Sequence, residues 1–364
     1  MALAAFEHLL KPEAESAPID RARLERHLAG QGLALDPGFP IRQLKGGLAN
    51  INYLLRVDDA LAVLRRSPGG ELPPGAHDMG REHRILSVLW QVLPVAPRSF
   101  YFTDDTAVIG VPFQLIEFRQ GLVIRGGTLP PLAMDGAEAA RRLSTMLIET
   151  LADIHGVDTG AIGLGDLGHP QGFVERAVAG WSRRGQAAAF DAASRALVAE
   201  LSAWLGARTV EAGDATLLHN DFKLDNMILD PETLAPVAVL DWDMGTRGDP
   251  RFDLATLLSY WTEPGDPDCM HRLAQMPSAA PGFPSREEAA AAYARLTGRD
   301  LGDFRTFRVL TMFKLGVVFL QLYALYRTGR VEDAQYAAFG SLGTELMDVA
   351  RAGRGAVFLR SWGQ

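Results

Sequence analysis

Cysteine is almost absent from this chain, which has one, Cys269, among its 364 residues. A single cysteine cannot form an internal disulfide or a cysteine-rich zinc site, so we expect a reducing compartment, the cytoplasm. The composition, 48% hydrophobic and 22% charged, is that of an ordinary globular protein. Cys269 is therefore interpreted as a spare thiol.

Positive charge is also scarce. Lys and Arg number 36 against 44 Asp and Glu, which gives a formal net charge of -8. A protein that binds the phosphate backbone of nucleic acid usually carries an excess of bases. Nucleic acid is therefore not an expected partner, and the sequence leaves the oligomeric state open.

Long hydrophobic runs are missing as well. The apolar stretch that most resembles a membrane span, residues 315–326, carries no charge but is shorter than the roughly 20 residues that span a bilayer. The N-terminus carries Glu7, Glu13 and Glu15 where a signal peptide would be basic. We therefore predict a buried helix at 315–326 and no membrane partner.

The order of strand and helix patterns predicts an α+β fold in two lobes. Residues 1–118 are predicted to form an entry helix capped by Asp20, five antiparallel strands and one helix. The strands correspond to QLKGG, INYLLRV and LAVLRR, with a turn at Asp58–Asp59, and to runs near 99–102 and 108–118. Residues 119–364 are predicted to form a larger helical lobe. Its helices are expected at 136–156, 172–184, 189–206, 285–297, 303–327 and 333–352, with short strands at 227–229 and 237–240.

The most informative segment is HNDFKLDN, residues 219–226. Its His219, Asp221 and Asn226 have the spacing H-x-D-x-x-x-x-N of a kinase catalytic loop. Asp241 follows Asp221 by 20 residues, a separation that suits a short strand-turn-strand hairpin. We expect the hairpin to bring a second carboxylate back beside the first loop.

Phosphoryl transfer explains these residue types. Magnesium prefers carboxylate and amide oxygens, which Asn226 and Asp241 would supply. Asp221 is placed to orient an attacking hydroxyl, and Lys223 can reach the γ-phosphate as a point charge. His219 is interpreted as a brace. The alternative is a polar hairpin with turn residues, and the joint spacing of the motif argues against it.

These motifs resemble the aminoglycoside phosphotransferase and choline kinase superfamily of small-molecule kinases. HNDFKLDN at 219–226 and LDWDMGTRGDPRFDLA at 240–255 carry the resemblance. GGLANINYLLRV, LAVLRRSPGG and REHRIL make the chain look most like a subgroup that occurs alone in bacteria or fused to acyl-CoA dehydrogenase domains. The resemblance extends over about residues 35–330.

The resemblance implies a protein-kinase-like two-lobe fold and the use of ATP and Mg²⁺, with GTP not excluded. It also implies a small hydroxyl compound as acceptor. No Ala-Pro-Glu activation segment follows Asp241, which argues against a protein acceptor.

Matching to the family also assigns residues of the first lobe. Gly46, Gly47 and Asn50 look like the turn that covers the nucleotide phosphates, where missing side chains let backbone N–H groups approach. A plain hairpin turn is the alternative. Arg65 occupies the place of the kinase lysine that holds the α- and β-phosphates, and Glu82 would be its ion-pair partner.

Arginine in a lysine position is a departure from the family pattern, because the two side chains bind phosphate differently. Arg66 is a rival for the same role, and a solvated strand-edge arginine is the plain alternative. The resemblance further implies that backbone groups near Ile116, Glu117 and Phe118 pair with the adenine edge. Glu117 could bind ribose or could equally be a surface charge.

Other polar residues are predicted to have supporting roles. His155 matches a position that the family fills with His, and we interpret it as structural. Asp249 and Asp253 are interpreted as loop braces and helix caps. Asp243 is either a magnesium ligand or a contact behind one.

The acceptor is predicted from charge. Residues 263–314, where the family builds its acceptor pocket, contain seven acids and seven bases. A pocket for polycationic aminoglycosides should be rich in unopposed carboxylates. The balance therefore favours a hydroxy acid or a hydroxyacyl-CoA, with an aminoglycoside O-phosphotransferase as the alternative. A nucleotide-binding pseudokinase is a third possibility, suggested by Arg65.

Overall fold

The computed structural model describes residues 3–46, 50–69, 78–211 and 213–355. The chain forms two compact units. Unit 1 comprises Met1–Gly121, Ile162–Leu164 and Val237–Gly245, and unit 2 comprises Leu122–Ala161, Gly165–Pro236 and Thr246–Gln364. Residues 237–245 therefore pack with the N-terminal residues, although they follow the catalytic-loop motif in the chain.

The elements have the following bounds. The strands are β1 (Arg42–Gln43), β2 (Ile51–Val57), β3 (Ala60–Arg66), β4 (Ser99–Thr103), β5 (Phe113–Glu117), β6 (Thr216–Leu218), β7 (Met227–Leu229), β8 (Pro236–Val239) and β9 (Thr246–Gly248). The helices are α1 (Arg21–Gly30), α2 (Met79–Leu89), α3 (Thr106–Ile109), α4 (Gly136–Gly156), α5 (Phe173–Ala188), α6 (Ala192–Gly206), α7 (Pro250–Ser259), α8 (Asp268–Leu273), α9 (Arg286–Thr297), α10 (Phe304–Arg327) and α11 (Phe339–Ala352). Short 3-10 helices lie at Leu3–Leu9, Glu13–Glu15, Leu224–Asn226 and Ala334–Ala338.

Unit 1 is built on a five-stranded antiparallel sheet with strand order β1-β2-β3-β5-β4. Asp58 and Asp59 both have left-handed backbones, φ 49° and 66°, as a two-residue hairpin turn requires. Asp20 caps α1 by accepting the backbone N–H of Arg23. The described residues of unit 1 thus contain an entry helix and five strands in one sheet.

The core of unit 1 lies on the face of the sheet covered by α1. Leu24 and Leu28 belong to one hydrophobic cluster with Leu55, Leu64 and Leu115. All five side chains are almost completely buried, and each buried leucine contributes roughly 1.5–3 kcal/mol relative to an exposed one. This packing fixes β3 and β5, the strands that carry the polar cluster described below.

Unit 2 is organised around α10, which packs against α5, α7 and α11. By length and composition α10 is apolar enough to cross a membrane, but 61% of its most apolar window is buried within the protein. The helix predicted at 303–327 corresponds to α10; of the stretch 315–326 that was predicted to be buried, the side chains up to Leu320 are mostly buried and those of 321–326 are partly exposed. The two-stranded pairing of β6 with β9 lies beside the catalytic-loop segment.

Several predicted elements differ from the structure. Helix α7 is missing from the prediction because all its residues are buried and leave no amphipathic period. The strand predicted from residue 108 begins at Phe113, because α3 and a left-handed Gly110 precede it. The helix predicted over 333–352 is a 3-10 turn followed by α11. The short elements α8, β6 and β9 also carry too little pattern to be predicted.

Candidate active site

The backbone of the catalytic-loop segment is held by one buried carboxylate. Asp253, in the first turn of α7, accepts the backbone N–H of His219 at 2.6 Å and that of Asn220 at 2.7 Å. Its side chain is fully buried, so these bonds are shielded from water. Asn220 has a left-handed backbone, φ 67°, and these contacts hold that unusual conformation.

His155 belongs to the same anchor. Its Nδ1 lies 2.6 Å from the hydroxyl of Tyr293 and its Nε2 lies 3.4 Å from the carboxylate of Asp253. The histidine is buried, at 2% exposure. The structure therefore places His155 among groups that orient Asp253, in keeping with a bracing role.

Asp221 lies at the centre of a polar group that we call the Asp221 cluster, with Lys223, Asn226 and Tyr260. Lys223 Nζ and Asn226 Nδ2 each lie 3.2 Å from its Oδ2, and the Tyr260 hydroxyl donates to its Oδ1 at 2.8 Å. Burial would raise the pKa of Asp221, but Lys223, Lys314 and the Tyr260 hydrogen bond outweigh it and hold the pKa below its usual value. Asp221 is therefore an ionised hydrogen-bond acceptor.

Lys223 is fixed from three sides. Besides Asp221, its ammonium lies 3.7 Å from Asp225 and 4.8 Å from the centre of the Tyr260 ring. Burial works against its charge, but Asp221 holds the pKa of Lys223 above the ordinary value. Tyr260, which follows α7, was not identified from the sequence, because no motif marks the residue after a helix.

Asn226 ends the 3-10 turn Leu224–Asn226. Its amide nitrogen donates to the backbone carbonyl of Asp221 at 2.9 Å as well as to the Asp221 carboxylate. Because the nitrogen is engaged in the loop, the amide oxygen is the atom suited to a metal ligand. The predicted residues Asp221, Lys223 and Asn226 are thus brought together within unit 2.

A second polar group, which we call the Arg65 cluster, lies in unit 1 and contains Arg65, Glu82, Gln114 and Asp241. Arg65 Nε donates to Glu82 at 2.7 Å, and its Nη2 donates to Asp241. Burial raises the pKa of Glu82 to about 7, with Arg65 acting in the opposite direction. The structure thus brings together three of the residues predicted for nucleotide or metal binding.

Glu82 is held on both carboxylate oxygens. Gln114 Nε2 donates to Oε2 at 2.6 Å, and the backbone N–H of Trp242 donates to Oε1 at 3.0 Å. Gln114 is itself oriented by Ser99, whose hydroxyl donates to its amide oxygen at 2.9 Å. Gln114 is fully buried and was missed, although a glutamine inside an apolar strand is a detectable signal.

The rival arginine lies elsewhere. Arg66 donates to the Tyr53 hydroxyl at 3.2 Å and lies over the Tyr53 ring. Successive strand residues point to opposite faces, so only one of the two arginines can face Glu82. That residue is Arg65, paired in register with Gln114 on β5.

The glycine turn of unit 1 is described in part. Gly46 has φ 84°, a conformation that favours glycine, and Gly47 lies outside the described residues. Asn50 is buried and its amide donates to Asp243 Oδ2 at 3.3 Å. Arg81 donates to the backbone carbonyl of Asp243, also at 3.3 Å.

The predicted connector residues make their own contacts. Glu117 pairs with Arg119 at 2.9 Å and accepts the backbone N–H of Arg98. The N–H of Phe118 donates to the carbonyl of Leu61 at 3.4 Å, and its ring packs against Phe6. These contacts leave Glu117 partly exposed and place Phe118, itself partly buried, against the apolar core of unit 1.

Both clusters offer few candidate metal ligands. Within the described ranges, no group of three or more His, Cys, Asp or Glu side chains could hold a metal ion. Magnesium suits such sparse sites, because it is commonly bound by one or two carboxylates together with phosphate oxygens and water. Asp241 has φ 69°, a conformation uncommon outside glycine and enriched at functional sites.

Comparison with known proteins identifies the family of the chain and proteins that are similar to it in sequence. Residues 40–292 match the phosphotransferase enzyme family. The acyl-CoA dehydrogenase family member 11 of Pongo abelii is 31% identical over 330 residues, 88% of this chain and 41% of that protein. The chain thus spans about two fifths of the length of this curated relative.

Solved structures share the fold. One is a protein of Ralstonia eutropha assigned as an aminoglycoside phosphotransferase, with a TM-score of 0.74 and 24% identity over 92% of this chain and 98% of that one. Another is a thermostable mutant of aminoglycoside phosphotransferase APH(4)-Ia, determined with AMP-PNP and hygromycin B. Its TM-score is 0.58 and its identity 16%, over 92% of this chain and 99% of that one. The protein-kinase-like α+β fold expected from the sequence is therefore confirmed.

Proposed function

The chain belongs to the phosphotransferase enzyme family, and from that premise we propose that it is a magnesium- and ATP-dependent kinase of a small molecule that carries a hydroxyl group. The observation that carries the proposal is the Asp221 cluster. An ionised carboxylate with three donors fixed around it is suited to orient a hydroxyl and not to store a proton.

In this proposal each residue of the Asp221 cluster has one task. Asp221 accepts a hydrogen bond from the acceptor hydroxyl and directs its oxygen at the γ-phosphate. Lys223, held protonated by Asp221, provides positive charge for the transferred phosphoryl group. Tyr260 donates a hydrogen bond to Oδ1, the other oxygen of the Asp221 carboxylate, and so fixes its orientation.

The Arg65 cluster is proposed to serve the nucleotide. Arg65 offers a guanidinium that can bind phosphate oxygens in a bidentate manner, and Glu82 orients it. Asp241 and Asn226 would hold Mg²⁺, which when bound neutralises charge on the phosphate oxygens. Gly46, Asn50 and the backbone after β5 are proposed to contact the same nucleotide.

For the acceptor we propose a hydroxy acid or a hydroxyacyl-CoA. Arg286 is paired with Glu263 at 3.2 Å and with Asp266 at 2.6 Å, and Arg272 is paired with Asp268 at 2.7 Å. In these ion pairs the arginines neutralise carboxylates that would otherwise be available to bind a polycationic substrate. The name of the 31% identical relative, an acyl-CoA dehydrogenase family member, supports the same class.

An aminoglycoside acceptor is the second candidate. It is favoured by one observation, the shared fold with an APH(4)-Ia structure that contains hygromycin B. A pseudokinase is favoured only by Arg65 in the lysine position. The ordered Asp221 cluster argues against it, because a module that only binds nucleotide has no use for a placed hydrogen-bond acceptor.

The test is magnesium-dependent ATP consumption across a panel of 3-hydroxybutyryl-CoA, free hydroxy acids, choline, homoserine and aminoglycosides. The Asp221→Asn variant is the control for ATP consumption that does not depend on Asp221, and removal of Mg²⁺ with EDTA is the control for the metal requirement. We expect ADP release to rise with a hydroxy acid or its CoA thioester only in the wild type with magnesium present.

Other results would redirect the proposal. Stimulation by an aminoglycoside alone would replace the acceptor class, and turnover that survives EDTA would contradict the metal requirement. Tight ATP binding with no stimulated turnover by any member of the panel would favour the pseudokinase. Cytoplasmic localisation and the absence of nucleic-acid and membrane partners are part of the same proposal.

A further inference from the structure

Lys314 is a buried cation that the proposed chemistry does not yet use. It lies in the middle of α10, between Phe313 and Leu315, and is only 6% exposed. The chain contains four lysines in all: Lys223 is part of the HNDFKLDN segment, and Lys314 contacts that segment from α10. Burying an ammonium in an apolar helix is costly, so its position needs a specific reason.

The contacts of Lys314 are directed at one point of the loop. Its ammonium donates to the backbone carbonyl of Asn220. It also lies 5.2 Å from the centre of the Phe252 ring and 6.0 Å from that of Trp181. Two aromatic faces and a carbonyl replace part of its hydration. Lys314 is thus held to the residue that directly precedes Asp221.

The peptide groups on either side of Asn220 are fixed by two different helices. Asp253 of α7 accepts the Asn220 N–H at 2.7 Å, and Lys314 of α10 binds its carbonyl. That carbonyl belongs to the peptide bond that leads into Asp221. Because the peptide bond is planar, fixing its oxygen restricts the backbone of Asp221 as well. Asn220 has a left-handed φ of 67°, and the two contacts hold its backbone in this conformation.

Electrostatics acts in the same direction. Burial lowers the pKa of Lys314, and the opposite charges of Asp221 and Asp253 work against this effect. The positive charge of Lys314 in turn favours the ionised form of Asp221. Lys314 therefore provides both a hydrogen bond to the Asn220 carbonyl and a positive charge that stabilises the Asp221 carboxylate.

We propose that Lys314 is a positioning residue for phosphoryl transfer, which clamps the Asn220–Asp221 peptide and so aims the Asp221 carboxylate at the acceptor. This inference rests on the proposed kinase function. It assigns a role in turnover to a residue of α10, outside both predicted motifs and outside the nucleotide site.

The test compares Lys314→Met with the matched control Thr311→Val by measuring kcat and the KM for ATP. The phosphoryl acceptor is the compound that the panel identifies or, if the panel identifies none, water, with release of ADP and inorganic phosphate. Thr311 lies on the same helix, is buried, and donates to the carbonyl of Ala255 on α7. Both substitutions remove a buried polar group of α10 together with its hydrogen bonds, but only Lys314 bonds to the residue that precedes Asp221.

We expect Lys314→Met to lower kcat about 10²-fold, because a misplaced group of this kind costs about that much, with the KM for ATP changed less than about threefold. Thr311→Val should lower the melting temperature but leave kcat within about twofold. In an Asp221→Asn background, Lys314→Met should cost less than about threefold further, because residues that act as a unit are not additive.

Retention of wild-type kcat by Lys314→Met, or a full 10²-fold loss in the Asp221→Asn background, would overturn the positioning role. If the methionine variant does not fold, Lys314→Gln, which keeps a donor, decides by the same double-mutant comparison. A wild type that consumes no ATP would count against the proposed kinase function itself, whereas an active wild type beside an unaffected Lys314→Met would overturn only this inference.

Discussion

The two polar clusters differ in which charge is central and in how deeply it is buried. In the Arg65 cluster one guanidinium lies between two carboxylates, and Glu82 is 1% exposed. In the Asp221 cluster one carboxylate is surrounded by donors, and Asp221 remains 25% exposed. Arg65 and Glu82 of the first cluster are therefore part of the core of unit 1, although its Asp241 is 34% exposed, and the central Asp221 of the second cluster is accessible to a reactant.

This difference predicts separate consequences for stability and for turnover. A buried charge without its partner is expensive, so damage to the Arg65 cluster should unfold the protein as well as weaken nucleotide binding. A partly exposed carboxylate that loses one donor can be solvated by water. Damage to the Asp221 cluster should therefore appear in kcat with little change in stability.

The largest effect on stability is expected from Arg65→Met. The substitution leaves Glu82 buried beside Asp241 without a cation, which should lower the free energy of unfolding by about 3–5 kcal/mol. Arg65→Lys is the matched control, since it keeps the charge, and it should lose less. Urea denaturation measures both, and an unchanged unfolding free energy for Arg65→Met would remove the distinction between the clusters.

A smaller effect is expected from Glu82→Gln, and it depends on pH. The pKa of Glu82 is raised by burial from 4.5 to about 7 in the folded protein, so the folded state binds the proton more tightly than the unfolded state. The stability that this provides is complete below pH 4.5 and is lost as the pH rises through 7.

Glutamine cannot ionise, so Glu82→Gln should flatten the decline of the melting temperature across this window. Glu25→Gln on the exposed face of α1 is the control and should keep the wild-type slope. An identical slope in the wild type and in Glu82→Gln would show that Glu82 does not titrate there.

The smallest effect is expected from Tyr260→Phe. The ring stays beside Lys223, but the hydrogen bond to Asp221 Oδ1 is lost, which is worth about 1 kcal/mol and corresponds to a loss of kcat of about fivefold. Tyr101→Phe, which loses a bond to His27 in unit 1, should leave kcat unchanged. A melting temperature that falls more for Tyr260→Phe than for Arg65→Met would reverse the comparison.

The sequence was most informative where the chemistry is contiguous. The spacing of HNDFKLDN placed Asp221, Lys223 and Asn226 near one another, because eight residues leave little conformational choice. The β2–β3 hairpin was predicted for the same reason, since an Asp-Asp pair between two alternating strands marks a tight turn.

The sequence was least informative where neighbours come from distant segments. Gln114, Tyr260 and Lys314 each contact a motif residue through a side chain from another strand or helix. Fully buried α7 shows no periodicity, so the anchor that it provides through Asp253 could be interpreted only as a brace. The sequence could not decide whether Arg65 or Arg66 takes the lysine position, because that depends on which face of β3 each side chain lies on and on where α2 places Glu82.

The most direct test of the central claim is a paired measurement on Asp221→Asn, with kcat from ADP release and the nucleotide Kd from titration with Mg-ATP. The account predicts that kcat falls about 10²–10⁴-fold while the Kd changes less than about twofold, because Asp221 orients the acceptor and does not hold the nucleotide. A kcat that stays near the wild-type value, or a Kd that rises in parallel with the loss of kcat, would contradict it.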